Sequence, residues 1–381
     1  MPPSAAVLTA FLYTVPLAAS SLFVVTDLGS LGGSQSTAFA INSQGTAVGA
    51  AQLPSGMGSS FVSPGGAMTA LSAADATSSQ ANGINSSGQV AGTVYSLSGA
   101  QATVWTGGLF SNLGTLGGVD SYALAINDAG SVAGSAGVRS GDAHAFLASN
   151  GHLTDLGTLG NSSWSAAYGV NNSNQVTGYS TTPDGAFHAF RWDESAGMVD
   201  IGTLGGNSYG MAINDLGDVA GSSASPQGFL HGFVWSGGVM KDLGTLGGGS
   251  SSAYGINRSG FVVGSSYVPE SANTHAFLWM GSGLLDLNSL IPIDSGWKLN
   301  EAYAINGNGQ IVGSGTFQGQ TRAFRLDLID SALNAAAAIP EPGTFTMLAA
   351  AVALVVLARA LSVPSRQSCR DIVSNAAQEP G

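Results

Sequence analysis

Short runs of small, β-branched and aromatic residues alternate with polar positions along most of the chain, and turn-formers separate them. The stretch from Ser252 shows the pattern. SAYGIN reads as a strand, and Asn257-Arg258-Ser259-Gly260 as a turn, with Gly260 able to take the left-handed conformation that closes a hairpin. FVVGS is a second strand and SYVPESANT a loop. HAFLW, His275–Trp279, is a third strand, GSG a turn, and LLDLN a fourth strand. Helical repeats would need apolar residues at three- and four-residue spacing and would not hold glycine inside them.

The pattern returns. An Ile/Val-Asn pair recurs at Asn42, Asn85, Asn127, Asn171, Asn214, Asn257 and Asn306, spaced 42 to 44 residues apart with a last step of 49. Seven markers at this period, with four short antiparallel strands per unit, predict a seven-bladed β-propeller. The ends support a closed ring. The last unit has YAIN, IVGS and RAFRLD (Arg322–Asp327) and then stops, whereas the chain begins with FVVTDLG, Phe23–Gly29, a fourth strand with no unit before it. Pairing the two would remove the exposed edges of an open sheet. The stretch DLGTLGG at Asp242–Gly248, with variants at Asp27, Asn112, Asp155 and Asp200, then reads as an outer strand followed by the crossing to the next blade. A leucine such as Leu246 is expected to pack between blades.

Composition narrows the function classes. Charged residues are 8% of the 381, glycines number 56, and hydrophobic residues are 44%, which argues against a disordered chain. The net charge of −12 disfavours nucleic acid as a partner. The only cysteine, Cys369, excludes an internal disulfide and leaves the body without a thiol nucleophile or cysteine zinc site.

Both ends differ from the body. Ala5–Ala19 is apolar, and Ala18-Ala19-Ser20 offers small residues for cleavage, so residues 1–20 read as a signal peptide, with an uncleaved anchor as the alternative. Residues 21–330 form the propeller. A linker, 331–343, carries Pro340-Glu341-Pro342. Residues 344–363 form a hydrophobic anchor helix, short for a bilayer span unless Arg359 snorkels, and 364–381 a tail that Arg359, Arg366 and Arg370 are expected to hold in the cytoplasm. Pro-Glu-Pro, a short apolar helix and then Arg359 resembles the PEP-CTERM sorting signal of Gram-negative bacteria, although here 22 residues follow the arginine. That resemblance implies an exosortase-type processing enzyme as a partner and a destination at the cell surface or in the extracellular polysaccharide matrix. An ordinary single-span anchor is the alternative.

The repeated pattern from Asp27 to Leu326 resembles the HAF-repeat family, on His144-Ala145-Phe146, His188-Ala189-Phe190 and His275-Ala276-Phe277. His231-Gly232-Phe233 and Arg322-Ala323-Phe324 are variants, and Phe61 and Val104 are expected to hold the Phe position of the first two units. The resemblance implies extracellular location and architecture, with no general activity.

Candidate chemistry is sparse. Four histidines at one blade position lie around a large circle, too far apart to share an ion. Each imidazole is expected to bond the TLGG crossover of its own blade, and no metal or other cofactor is expected. Asp155, Asp200, Asp242 and Asp286 also share one repeated position. Asp294 and Glu301 are unrepeated, and nothing in the sequence places them together. No P-loop, dinucleotide fingerprint or serine elbow occurs. Trp105, Trp192, Trp235 and Trp279 end third strands, as packing residues do. Trp164, in a crossover, and Trp297, in the insertion before the last unit, break the repeat and are the candidate ligand-stacking residues. Second-to-third loops vary most and should share a face with the crossovers. The sequence therefore reads as a non-enzymatic binding or structural protein of the cell surface, with extracellular polysaccharide or a surface protein as partner. The alternative is a propeller hydrolase or lyase acting on extracellular polysaccharide.

Overall fold

The computed structural model describes residues 21–329, apart from 72, 74, 75 and 270–272. The signal segment, linker, anchor helix and tail expected at the two ends lie outside the described residues. Among the described residues no helix is long and apolar enough to cross a membrane.

Seven four-stranded antiparallel sheets form the blades of a propeller. Blade 6 is typical, with strands Ser251–Ile256, Val262–Tyr267, Thr274–Trp279 and Leu284–Asp286. The first strands of blades 1 to 5 are Ser36–Ile41, Ser78–Ile84, Gly117–Ile126, Ser165–Val170 and Ser208–Ile213. Blade 7 takes three strands from the end of the ring, Trp297–Ile305, Ile311–Phe317 and Gln320–Leu328. Its fourth is the N-terminal Phe23–Asp27, in register from Phe23↔Leu328 to Asp27↔Phe324. The ring is closed by its own first strand, as the phase of the repeats predicts.

Neighbouring first strands touch all the way round, blade 7 to blade 1 included, so they form the inner ring. Each carries a bulge like that between Ala167 and Gly169, and the first strands of blades 3 and 7 carry a second irregularity nearer their start. Opposite the bulge stands the glycine of the repeated V-G, A-G or T-G pair. A Cβ on Gly178 would sit 1.8 Å from the carbonyl oxygen of Ala166, and one on Gly264 2.0 Å from that of Ser252 and 2.8 Å from the Phe277 ring. Space, not a special φ, demands glycine there.

Apolar cores lie between blades. One joins Ala220 and Val234 of blade 5 to Ala253, Val262 and Phe277 of blade 6, with Leu243 buried and Leu246 packed against it, the interblade place expected of that leucine. Phe61, Phe146, Phe190, Phe233, Phe277 and Phe324 are wholly buried. In blade 2 the register corrects the sequence reading. Gly92 faces Thr103 as Gly134 faces Phe146, so Thr103, not Val104, holds the Phe position. Trp105 there is 1% exposed and supplies apolar bulk to that core.

Two polar devices bolt the blades together. The marker asparagines form a closed belt. Asn42 Nδ2 donates to the Asn85 carbonyl at 3.1 Å, Asn85 to Asn127 at 3.1 Å, Asn127 to Asn171 at 2.9 Å and Asn171 to Asn214 at 2.9 Å. Asn214 continues to Asn257 and Asn257 to Asn306, each at 3.2 Å, and Asn306 returns to Asn42 at 2.9 Å. The same side chains accept from their own turns, as Asn171 Oδ1 does from Ser173 and Gln175 N–H. The second device is a serine opening the first strand. Ser208 Oγ donates to the Gly202 carbonyl at 2.7 Å and accepts from Ala189 N–H at 2.8 Å, tying a blade to the preceding crossover and third strand. Ser36, Ser165 and Ser251 do the same. In blade 7 Leu299 stands in the serine's place, and Asn288 makes the clasp through both polar atoms of its amide.

Candidate functional site

The repeated histidines belong to the frame. His144, His188, His231 and His275 place Nδ1 at 2.9, 2.6, 2.8 and 2.7 Å from Asp155, Asp200, Asp242 and Asp286 of the same blade. This corrects the expected partner. The imidazole meets the aspartate that opens the crossover motif, and the aspartate reaches into the crossover, accepting from Gly157, Gly202, Gly244 and Asn288 N–H. In blade 2 the pair becomes Gln101 and Asn112, bonded at 2.7 Å. Among the described residues no group of three His, Cys, Asp or Glu could hold a metal.

Trp164 and Trp297 sit on different blades. Trp297 begins the first strand of blade 7 rather than standing in a free insertion. One ring face is stacked on Phe317, with centroids 4.8 Å apart, and Phe324 meets it edge-on at 6.0 Å. Trp164 lies in the crossover into blade 4, where its backbone bridges Ala143, and its side chain is 49% exposed. Asp294 is exposed, while Glu301, on the inner strand of blade 7, accepts a short hydrogen bond from Tyr303 Oη. No hydrogen bond among the described residues links these two carboxylates.

Second-to-third loops do share a face with the crossovers. Pro183 lies against Gly160, Pro226 against Gly205 and Pro269 against Gly247. On that face blade 3 holds a cleft of about 590 Å³, lined by Val119, Asp120, Tyr122, Arg139, Asp142 and Trp164 among others. Asp120 is fixed through Oδ1, which accepts from Ala100 N–H at 2.8 Å and overlies Gly99, where a Cβ would come within 2.6 Å. Asp142 accepts from Ser140 Oγ at 2.8 Å through Oδ2. Each carboxylate thus keeps its other oxygen for a ligand. Arg139 is exposed at the rim, its side chain lying over Gly117. Tyr122 has its phenol pKa raised, first by burial and then by the Asp120 charge. The equivalent place in blade 1 is a smaller cleft of about 290 Å³ with Gln35, Thr37, Phe39 and Gln52, and no charged side chain lines it.

Of these residues, sequence reasoning had found only Trp164. Arg139 carried a usable signal, being the one basic residue in the second-to-third loops. Asp120 and Tyr122 carried none, because only the fold brings the crossover, inner strand and loop together.

No protein-family model matches the chain, and no curated protein matches it. Its fold is similar to solved propellers at very low identity. The β-propeller domain of the Trilobed protease from Pyrococcus furiosus is 8% identical with a TM-score of 0.51, over 81% of this chain and 94% of that one. A puromycin-hydrolyzing peptidase of Mycobacterium tuberculosis is 11% identical with a TM-score of 0.51, over 81% of this chain and 52% of that one. TolB from Acinetobacter baumannii is 10% identical with a TM-score of 0.46, over 74% of this chain, which spans 63% of TolB. The first two likenesses, with the seven sheets, establish the propeller fold. The Pyrococcus domain is described as having an open velcro topology, whereas here the first strand pairs with the last.

Proposed function

We infer that this chain is a non-enzymatic binding or structural protein of the cell surface or extracellular polysaccharide matrix of a Gram-negative bacterium. It is exported by the N-terminal signal and held at the membrane, transiently or permanently, by the C-terminal helix. The observation that carries the reading is a division of labour. Repeated Asn, Ser, His and Asp side chains are occupied in joining strands and blades, while the irregular Asp120, Arg139, Asp142 and Trp164 line one cleft on one face. Variable loops on a rigid frame are where recognition is usually found. The HAF-type pattern and the Pro340-Glu341-Pro342 and Arg359 signal support the extracellular destination, with an exosortase-type enzyme as the processing partner.

The test is localisation together with matrix binding. External protease should remove the ring from intact cells, and residues 21–331 should sediment with insoluble extracellular polysaccharide. A thiol reagent that cannot cross membranes should leave Cys369 unlabelled in the membrane-bound full-length form. Protection of the ring from protease, or its failure to sediment with matrix, would sink the reading.

A further inference from the structure

Blade 3 departs from the repeat at three places that meet in one cleft. The crossover into it places Val119-Asp120 before the clasp serine, where blade 1 has Ser34-Gln35 and blade 6 has Gly249-Ser250. Its second-to-third loop supplies Arg139 and Asp142. The crossover leaving it is one residue longer than those into blades 1, 3 and 6, and the added residue beside the serine is Trp164.

The chemistry of these groups selects a ligand class. A cavity of about 590 Å³ is within the usual range for small-molecule sites and holds about one or two sugar rings. The half-exposed indole offers a flat apolar face to the C–H face of a pyranose. Ionised carboxylates only accept hydrogen bonds, so Asp120 and Asp142 suit hydroxyl donors, and the Arg139 guanidinium donates to hydroxyl or ring oxygens. Two carboxylates against one guanidinium, in a chain of net charge −12, disfavour anionic sugars.

We propose that the blade-3 cleft binds neutral, hydroxyl-rich saccharides, with one sugar ring stacked on Trp164 and its hydroxyls shared among Asp120, Arg139 and Asp142. The proposal deepens the reading of the ring as an external binding protein and rests on it.

The test uses full-length protein in detergent micelles, titrated calorimetrically with neutral gluco-, manno- and galacto-configured disaccharides. An oligogalacturonate and choline serve as the acidic and cationic probes. At least one neutral disaccharide should bind. Trp164→Ala should weaken it tenfold or more, and Asp142→Asn several-fold, with unchanged circular dichroism and melting midpoint, since neither side chain is part of a blade core. Should Trp164→Ala fail to fold, Asp142→Asn still decides the matter. Absence of neutral-sugar binding, affinity unaltered by the substitutions, or a preference for oligogalacturonate or choline overturns the proposal. Such a failure with matrix sedimentation intact removes this site alone, whereas loss of sedimentation removes the broader reading.

Discussion

At the scale of the residue, the marker asparagine does more than shape a turn. Asn171 is 3% exposed, and each of its polar atoms is used. Oδ1 takes two amides of its own turn, while Nδ2 reaches Gln175 Oε1 at 2.8 Å and the Asn214 carbonyl of the next blade at 2.9 Å. In an alanine variant the Asn214 carbonyl would keep Gly217 N–H at 3.0 Å, but Ser173 and Gln175 N–H would lose their acceptor, and an unpaired part-buried amide costs more than a hydrogen bond contributes on average. Asn171→Ala should therefore lower stability by about 2–3 kcal/mol, read from the shift of a urea midpoint at constant slope. Asn171→Asp separates the two roles, because it keeps the acceptor for the turn and loses the donor to the neighbouring blade. If the belt matters, Asn171→Asp is destabilised as well; wild-type stability in that variant would mean that the turn alone accounts for the residue. The turn was legible in the sequence from Asn-x-x-Gly spacing. The belt was not, because six of its bonds join residues 42 to 49 positions apart, the seventh joins residues 264 apart, and the circuit exists only once the ring is closed.

At the scale of the element, strand order was the most readable property of the chain. The period of the Ile/Val-Asn marker gave the number of blades, and the phase of the first and last units gave the closure. Phe23–Asp27 does pair with the strand that carries Arg322–Asp327. What stayed hidden lies where a unit departs from the repeat. Sequence alignment of the units set Val104 in the Phe position of blade 2, but register puts Thr103 there. Trp297 looked like a loop residue and is instead strand-borne, stacked on Phe317. The closing strand is also the element whose removal says most. Phe23 is 3% exposed and Leu28 is wholly buried, Phe23 in the blade 6–7 core and Leu28 in the blade 7–1 core. Deleting residues 21–29 strips both and leaves the edge of Gln320–Leu328 unpaired, an invitation to association with another chain. The expected result is a large fall in melting temperature with aggregation. Restoring the segment by a short linker after Leu328, so that the fourth strand follows the third as in the other blades, should recover the ring. A deletion variant that melts like the intact protein would show that closure contributes little.

At the scale of the whole molecule, the inner ring sets how the propeller responds to alkali. Tyr122, Tyr168, Tyr254 and Tyr303 all stand on first strands, and Tyr95 lies on the second strand of blade 2. Burial is the leading cause that raises the phenol pKa of each. Tyr168 is pushed up from 10.0 to about 12, with Tyr179 adding to the effect through charge and hydrogen bonding. Tyr303 is raised further by the Glu301 carboxylate, which accepts the phenol's hydrogen bond and repels the phenolate charge. Glu301 also raises Tyr254, whose ring stacks on Tyr303 at 5.2 Å across the blade boundary. A folded state that holds a phenol proton more tightly than the unfolded chain gains stability that is fully present below the unfolded pKa. That gain is lost as pH rises through the folded one. For Tyr168 the window runs from about pH 10 to about pH 12. Because these phenols sit on strands from five blades that are locked in one ring, their ionisation and the opening of the ring are linked. The denaturation midpoint should be level up to about pH 10 and fall steadily above it, while absorbance at the phenolate band rises along the same curve. Tyr168→Phe should flatten part of the decline without altering the midpoint at neutral pH by a comparable amount. If the midpoint stays level through pH 12, or the phenolate signal is complete well before it moves, the inner-ring tyrosines do not govern the alkaline limit of the fold.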